Sequence, residues 1–166
     1  MIMKNEDSSL RIALFPGSFD PFTIGHQSLV KRGLELADRI IIAIGHNESK
    51  RTCFSLEERL DAIRKLYKDD SRIEVIAYQT LTTDLAKQTG AQFILRGIRS
   101  VIDFEYEKTI ADVNRTLTGI ETVFLLAEPQ YAHISSSVVR ELLHFGKEVS
   151  AFLPEQEGEP SNVKDI

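Results

Sequence analysis

The chain has 166 residues, of which 42% are hydrophobic and 27% charged, with a formal net charge of −5 and one cysteine. That length suits one domain with a sizeable core, and the acidic balance excludes broad electrostatic attraction to nucleic acid or acidic membranes. The lone Cys53 excludes an internal disulfide and a cysteine-rich zinc site, and no apolar run approaches the ~20 residues of a membrane span, so a cytoplasmic location is expected.

Residues 1–9 are polar, lack a signal-peptide core and read as an N-terminal extension. Residues 11–15 form a short apolar run expected to be a buried strand. The stretch "FPGSFDPFTIGH", 15–26, follows, and 27–37 then carries Leu29, Val30, Gly33, Leu34 and Ala37 at helical spacing. "RIIIAIG", 39–45, is the near-continuous apolar run of a strand buried on both faces of a parallel sheet. "SLEE", 55–58, is a capping box that opens a helix with Leu60, Ile63, Leu66 and Tyr67 on one face. A third strand is expected over 72–77, a short helix over 83–89 stopped by Gly90, and a fourth strand over 93–95. A charged helix over 102–117, a fifth strand over 121–126 and a helix over 135–145 complete the series. Strand-then-helix alternation predicts an α/β fold: one Rossmann-like domain over 10–154, a doubly wound parallel five-stranded sheet with flanking helices. Residues 155–166 are an acidic tail without apolar periodicity.

Ligands of such sheets sit beyond the carboxyl ends of the strands, and four segments in that position look specialised. In the first, two Pro and two Gly (Pro16, Gly17, Pro21, Gly25) fix an irregular backbone path before His26. Gly17 admits close backbone approach, Ser18 offers a hydroxyl, and a helix start favours anions. A histidine there is either a helix cap or a donor to a phosphate, and the shaped loop favours the donor. In the second, "HNESKRTCF", Lys50 and Arg51 read as a solvated pair, or as charges that reach a phosphate; His46 and Cys53 read as structural. In the third, "LRGIRS", two arginines flank Gly97 after a buried strand, an arrangement that suits bidentate phosphate contact. In the fourth, "HISSSVVRE", three serines open a helix where capping needs one, while Arg140 reads as a surface residue. The chain has no GxxxxGK[ST], GxGxxG, GxSxG or HExxH pattern, which argues against a nucleophilic triad or a zinc hydrolase.

"GSFDPFTIGH" resembles the (T/H)xGH signature of the nucleotidyltransferase superfamily, and "RGIRSVIDFEYE" with "ISSS" resembles the bacterial phosphopantetheine adenylyltransferases, collinearly from about residue 11 to 154. The resemblance implies transfer of AMP from ATP to 4′-phosphopantetheine, which yields dephospho-coenzyme A and pyrophosphate, with Mg²⁺ as cofactor and no protein metal ligands assigned. It further implies a homohexamer and feedback inhibition by coenzyme A. By position, it assigns catalysis to His26, Lys50 and Arg99. ATP contacts fall to Ser18, Phe19, His26, Gly97, Ile98, Arg99, Glu107, Tyr131, Ala132, His133, Ile134, Ser135, Ser136 and Ser137. Phosphopantetheine contacts fall to Ser18, Lys50, Thr82 and Arg96. Relatives often carry Trp-Ser-Phe where this chain has Tyr131-Ala132-His133, a departure beside the adenine. The acceptor phosphate is already anionic, so in-line attack on the α-phosphorus needs positioning and charge neutralisation rather than a general base. A nicotinamide-mononucleotide adenylyltransferase, a glycerol-phosphate cytidylyltransferase and a non-catalytic nucleotide or coenzyme A sensor on the same fold are the competing readings.

Overall fold

The computed structural model describes residues 10–47, 49 and 51–155. Five parallel strands are β1 (Ile12–Gly17), β2 (Arg39–Gly45), β3 (Ile73–Tyr78), β4 (Phe93–Ile98) and β5 (Glu121–Leu126), in the order β3-β2-β1-β4-β5. The helices are α1 (Ile24–Gly33), α2 (Leu56–Leu66), α3 (Thr82–Thr89), α4 (Val101–Thr118) and α5 (Ser136–His144). Among the described residues no helix is long and apolar enough to cross a membrane.

The central strands owe their position to their side chains. Alternation in β1 and β2 sends Ala13, Phe15, Ile40, Ile42 and Ile44 to one face of the sheet, where Leu29 and Val30 of α1 and Ile63 of α2 cover them. Leu14, Ile41 and Ala43 go to the other face, against Leu85 and Ala86 of α3. Each fully buried Leu or Ile contributes roughly 1.5–3 kcal/mol over its exposed state. β1 and β2 carry such residues on both faces and therefore occupy the middle. Because the chain runs outward from β1 in one direction and restarts at β4 on its other side, the sheet reverses between these two strands. That switch point is where a crevice opens in folds of this kind.

Several boundaries differ from the sequence reading. α1 starts at Ile24 and ends at Gly33, so His26 lies in its first turn, and a turn over 34–36 replaces the expected last helical residues. β4 runs on to Ile98, because Arg96, Gly97 and Ile98 pair with Phe124, Leu125 and Leu126 of β5. Arg96 and Gly97 are thus strand residues, and only Arg99 belongs to the turn. Residues 1–9, Lys50 and 156–166 lie outside the described residues, and with them the expected extension and nearly all of the tail.

Candidate active site

At the switch point, the β1–α1 connection faces the end of β4, and a cavity of about 230 Å³ lies between them. Its wall includes Gly17, Ser18, Phe19, His26, Arg96, Gly97, Arg99, Glu107, Tyr131, Ile134, Ser135 and Ser136. A larger, more open cleft of about 990 Å³ adjoins it, lined by His46, Asn47, Thr52, Tyr78, Thr82, Tyr106, Asn114 and Thr122. Pro16, Gly17, Ser18 and Arg96 line both. A group bound at Ser18 and Arg96 therefore stands where the two spaces meet.

His26 is the third residue of α1 and closes a capping box with Thr23: the His26 N–H donates to the Thr23 hydroxyl (3.4 Å) and Nδ1 accepts the Thr23 N–H (2.9 Å). The cap reading is met by this box, and the Thr23 backbone N–H can only donate. Nδ1 is therefore the acceptor, and the neutral ring carries its proton on Nε2, available to a ligand. Phe15, Phe19 and Phe22 surround the ring at centroid distances of 6.2, 5.1 and 5.3 Å. Burial first, and then the positive charges of Arg96 and Arg99, lower the His26 pKa to about 3. At neutral pH the residue is thus a hydrogen-bond donor without charge.

Arg96 holds Glu107 in a bidentate pair and also donates to the Pro16 carbonyl. Arg99 pairs with Asp103 one turn along α4 (3.1 Å). Both site arginines thus have carboxylate partners on one helix. Thr82, in the first turn of α3, bonds Tyr78 Oη at 2.9 Å on the wall of the larger cleft. Ser135 caps α5 by accepting the Val138 N–H, Ser136 donates to the Pro21 carbonyl, and Ser137 accepts from Arg140. Ser135 and Ser137 accept in these bonds and keep their O–H groups to donate, and with the first-turn N–H groups of α5 not used by the Ser135 cap they are what remain for an anion. Ile98 is buried, His133 is exposed beside Phe152, and neither they nor Ala132 and Ser137 are on the wall of the smaller cavity. A Cβ at Gly97, which lies on the cavity wall, would come within 2.3 Å of a Leu29 methyl, so packing also favours glycine there. At Gly17 the equivalent atom would meet the Phe19 ring at 2.8 Å. Phe19 itself sits at φ 45°, a left-handed position few aromatic residues adopt.

Sequence reasoning missed the groups that hold the β1–α1 loop. Asp20, buried, accepts the N–H groups of Cys53 (2.8 Å) and Phe54 (2.9 Å). Arg59, 3% exposed, donates to the Ser18 carbonyl (2.6 Å). Arg140 donates to the Asp20 carbonyl (2.8 Å), which corrects its reading as a surface residue. His46, read as structural, lines the larger cleft, and Cys53 is exposed. Arg59 could have been suspected from its place on α2, one residue before Leu60 on the expected apolar face. Asp20 carried no signal beyond its position in the loop.

Among the described residues, no three His, Cys, Asp or Glu side chains are placed to hold a metal ion together. The carboxylates on the smaller cavity's wall, Asp103 and Glu107, are already tied to arginines. The donor set does not form a protein cage for Mg²⁺ and fits an ion that arrives on phosphate oxygens.

Comparison with known proteins adds the kinship. The sequence model of the cytidylyltransferase-like family matches residues 14–142. A phosphopantetheine adenylyltransferase of Phocaeicola vulgatus is 59% identical over 146 residues, which are 88% of this chain and 97% of that protein. One from Porphyromonas gingivalis is 56% identical over 87% of this chain and 94% of its own length. One from Flavobacterium johnsoniae is 52% identical over 88% and 96%. Among solved structures, a bifunctional NMN adenylyltransferase/ADP ribose pyrophosphatase from Francisella tularensis superposes with a TM-score of 0.67 at 14% identity, over 92% of this chain and 46% of that one. A nicotinate-nucleotide adenylyltransferase from Vibrio parahaemolyticus, described as putative, gives 0.60 at 18%, over 89% and 95%. At such identities these likenesses speak for the fold.

Proposed function

The chain belongs to the cytidylyltransferase-like family and, within it, to the phosphopantetheine adenylyltransferases, and from that premise we propose how its two adjoining cavities divide the work. ATP occupies the smaller one, with its phosphates toward His26, Arg99 and the first turn of α5, and its adenine toward Tyr131 and Ile134. The extended arm of 4′-phosphopantetheine lies in the larger cleft past Thr82, and its phosphate is held by Ser18, Arg96 and Lys50. The observation that carries this reading is the sharing of Pro16, Gly17, Ser18 and Arg96 by both spaces. That sharing brings two anionic reactants to one point and leaves their far ends apart.

The acceptor oxygen attacks the α-phosphorus in line with the departing pyrophosphate, without a covalent intermediate. Two bound reactants held in register can supply ~7–11 kcal/mol of the barrier. The His26 Nε2–H donates to the phosphoryl oxygens as charge builds, and Arg99 trades Asp103 for the nucleotide's phosphates. Glu107, released from Arg96, turns to the nucleotide. Mg²⁺, when bound, would be held mainly by phosphate oxygens and water and would supply neutralisation of phosphate charge.

We also propose a homohexamer, which sedimentation of the pure protein checks. Its support is α4, where Val101, Ile102, Tyr106, Val113 and Leu117 are exposed and no residue is buried. Coenzyme A differs from the product by one phosphate and would compete for the same two spaces. The reading carries a cytoplasmic location, the compartment a lone thiol suits. Pyrophosphate release from ATP with 4′-phosphopantetheine, against nicotinamide mononucleotide and glycerol phosphate as acceptors, tests the whole. Release only with one of the latter two, or with none, overturns it.

A further inference from the structure

Two loops from different strands meet in this site, beyond the last β1–β2 pair at Gly17 and Ile44: residues 18–23 after β1, and the described residues 46, 47, 49 and 51–55 after β2. The first carries Ser18 to the junction of the cavities, and the second contributes His46, Asn47 and Thr52 to the wall of the larger one. What joins them is the side chain of Asp20. It is 5% exposed, and its two oxygens accept one backbone N–H each, Oδ2 from Cys53 and Oδ1 from Phe54. Its own backbone is fixed from a third direction by Arg140, and that of Ser18 by Arg59.

We propose that Asp20 is a positioning residue of the reaction, one that sets the 51–54 segment, and with it the acceptor side of the larger cleft, at a fixed distance from Ser18. Carboxylates that accept two amide N–H groups form charge-assisted bonds, roughly twice as strong as neutral ones. Arg59 adds a second link, donating to the carbonyls of Ser55 (3.3 Å) and Ser18 (2.6 Å), but it grips the segment at its helical end, whereas Asp20 holds Cys53 and Phe54 next to the cleft residue Thr52. The nucleotide cavity does not depend on this link, because Arg59, Arg140 and Ser136 hold its loop independently. The consequence is asymmetric. Loss of Asp20 loosens the acceptor's wall and leaves the nucleotide's wall in place.

The inference rests on the functional reading above, and the test separates the two. Wild-type pyrophosphate release with 4′-phosphopantetheine is measured first; its absence overturns the reading, not the role of Asp20 in holding the loop. Asp20→Asn keeps one acceptor oxygen and Asp20→Ala keeps none, so the KM for phosphopantetheine is expected to rise about tenfold in the first and further in the second. The KM for ATP should stay within about twofold. Cys53→Pro deletes one of the two N–H donors from an exposed position and should reproduce the Asn variant without touching Asp20. It decides the matter if the Asp20 variants fail to fold. Amide exchange at Cys53 and Phe54 should accelerate in Asp20→Asn, a readout independent of turnover. Unchanged exchange, equal rises in both KM values, or a fall in kcat with both KM values intact would each overturn the inference.

Discussion

The two walls of the smaller cavity are held in opposite ways. On the β1–α1 wall, the bonds of Asp20, Arg59, Arg140 and Ser136 run between side chain and backbone. No phosphate can take their place without unpairing a carbonyl or an amide. On the β4–α4 wall, Arg96 and Arg99 are bound to Glu107 and Asp103, carboxylates whose oxygens a phosphate can imitate. The first arrangement stores geometry, and the second stores charge in exchangeable form. Under the function proposed above, gripping a polyanion and then releasing it would use both: a fixed frame to aim His26, and arginines that keep a carboxylate partner between turnovers.

The contrast is sharpest where the rigid wall meets the chemistry. His26→Ala removes the donor that the frame exists to aim. We expect kcat to fall ~10²–10³-fold, the loss typical of one such donor, while the ATP dissociation constant shifts only a few-fold. Steady-state pyrophosphate release paired with calorimetric ATP titration gives both figures. Equal losses would make His26 a binding group and remove the reason for so firm a frame.

Next in size is the frame itself. Arg59→Met fills much of the same volume and leaves the Ser18 carbonyl without its donor. An unpaired buried acceptor costs about 1–3 kcal/mol, so the urea midpoint should drop and kcat/KM for both substrates should fall together. If stability drops and kinetics do not, Ser18 is positioned by something other than its carbonyl.

The pH dependence of stability probes the same wall. His26 is neutral in the folded protein down to about pH 3, whereas an unperturbed histidine takes up a proton near 6.5. Between those values the unfolded chain holds the extra proton. Its contribution to stability is therefore intact above about pH 6.5 and is lost as the pH falls toward 3. One proton corresponds to ~1.4 kcal/mol per pH unit, or roughly 2 kcal/mol between pH 6.5 and 5. Urea midpoints at pH 7 and 5 should converge in His26→Asn by about that amount relative to the wild type.

How much of this was readable beforehand depended on the range of the interactions concerned. β2 and β5 were legible to the residue, because an unbroken apolar run such as "RIIIAIG" has few alternatives. The Ser55–Glu58 capping box and the Gly90 stop are local signals and were found where expected. The first turn of α1 was not: its cap is Thr23 with a histidine in the place usually taken by Glu or Gln, a pairing that propensity does not flag. The extension of β4 over Arg96 and Gly97 comes from pairing with a strand some 30 residues on, which no window on "RGIR" contains. The loop braces failed for the same reason. Arg140 reaches a carbonyl 120 positions away, and nothing in "SSSVVRE" tells a brace from a solvated charge.

The smallest expected effect tests the exchangeable wall. Asp103 sits in the first turn of α4 with its carboxylate on the guanidinium of Arg99, both groups partly open to solvent. A pair this exposed is worth about 0–1 kcal/mol, so whatever ATP spends in displacing it is of that size. Asp103→Asn keeps the side-chain volume and deletes the competing charge. The KM for ATP should fall by up to about fivefold at low salt, and the gain should shrink as ionic strength rises and screening removes the pair's advantage. A KM that rises instead would mean that Asp103 aims Arg99 rather than occupying it. The β4–α4 wall would then be preorganised like its neighbour, and the distinction between the two would fall to Glu107 alone.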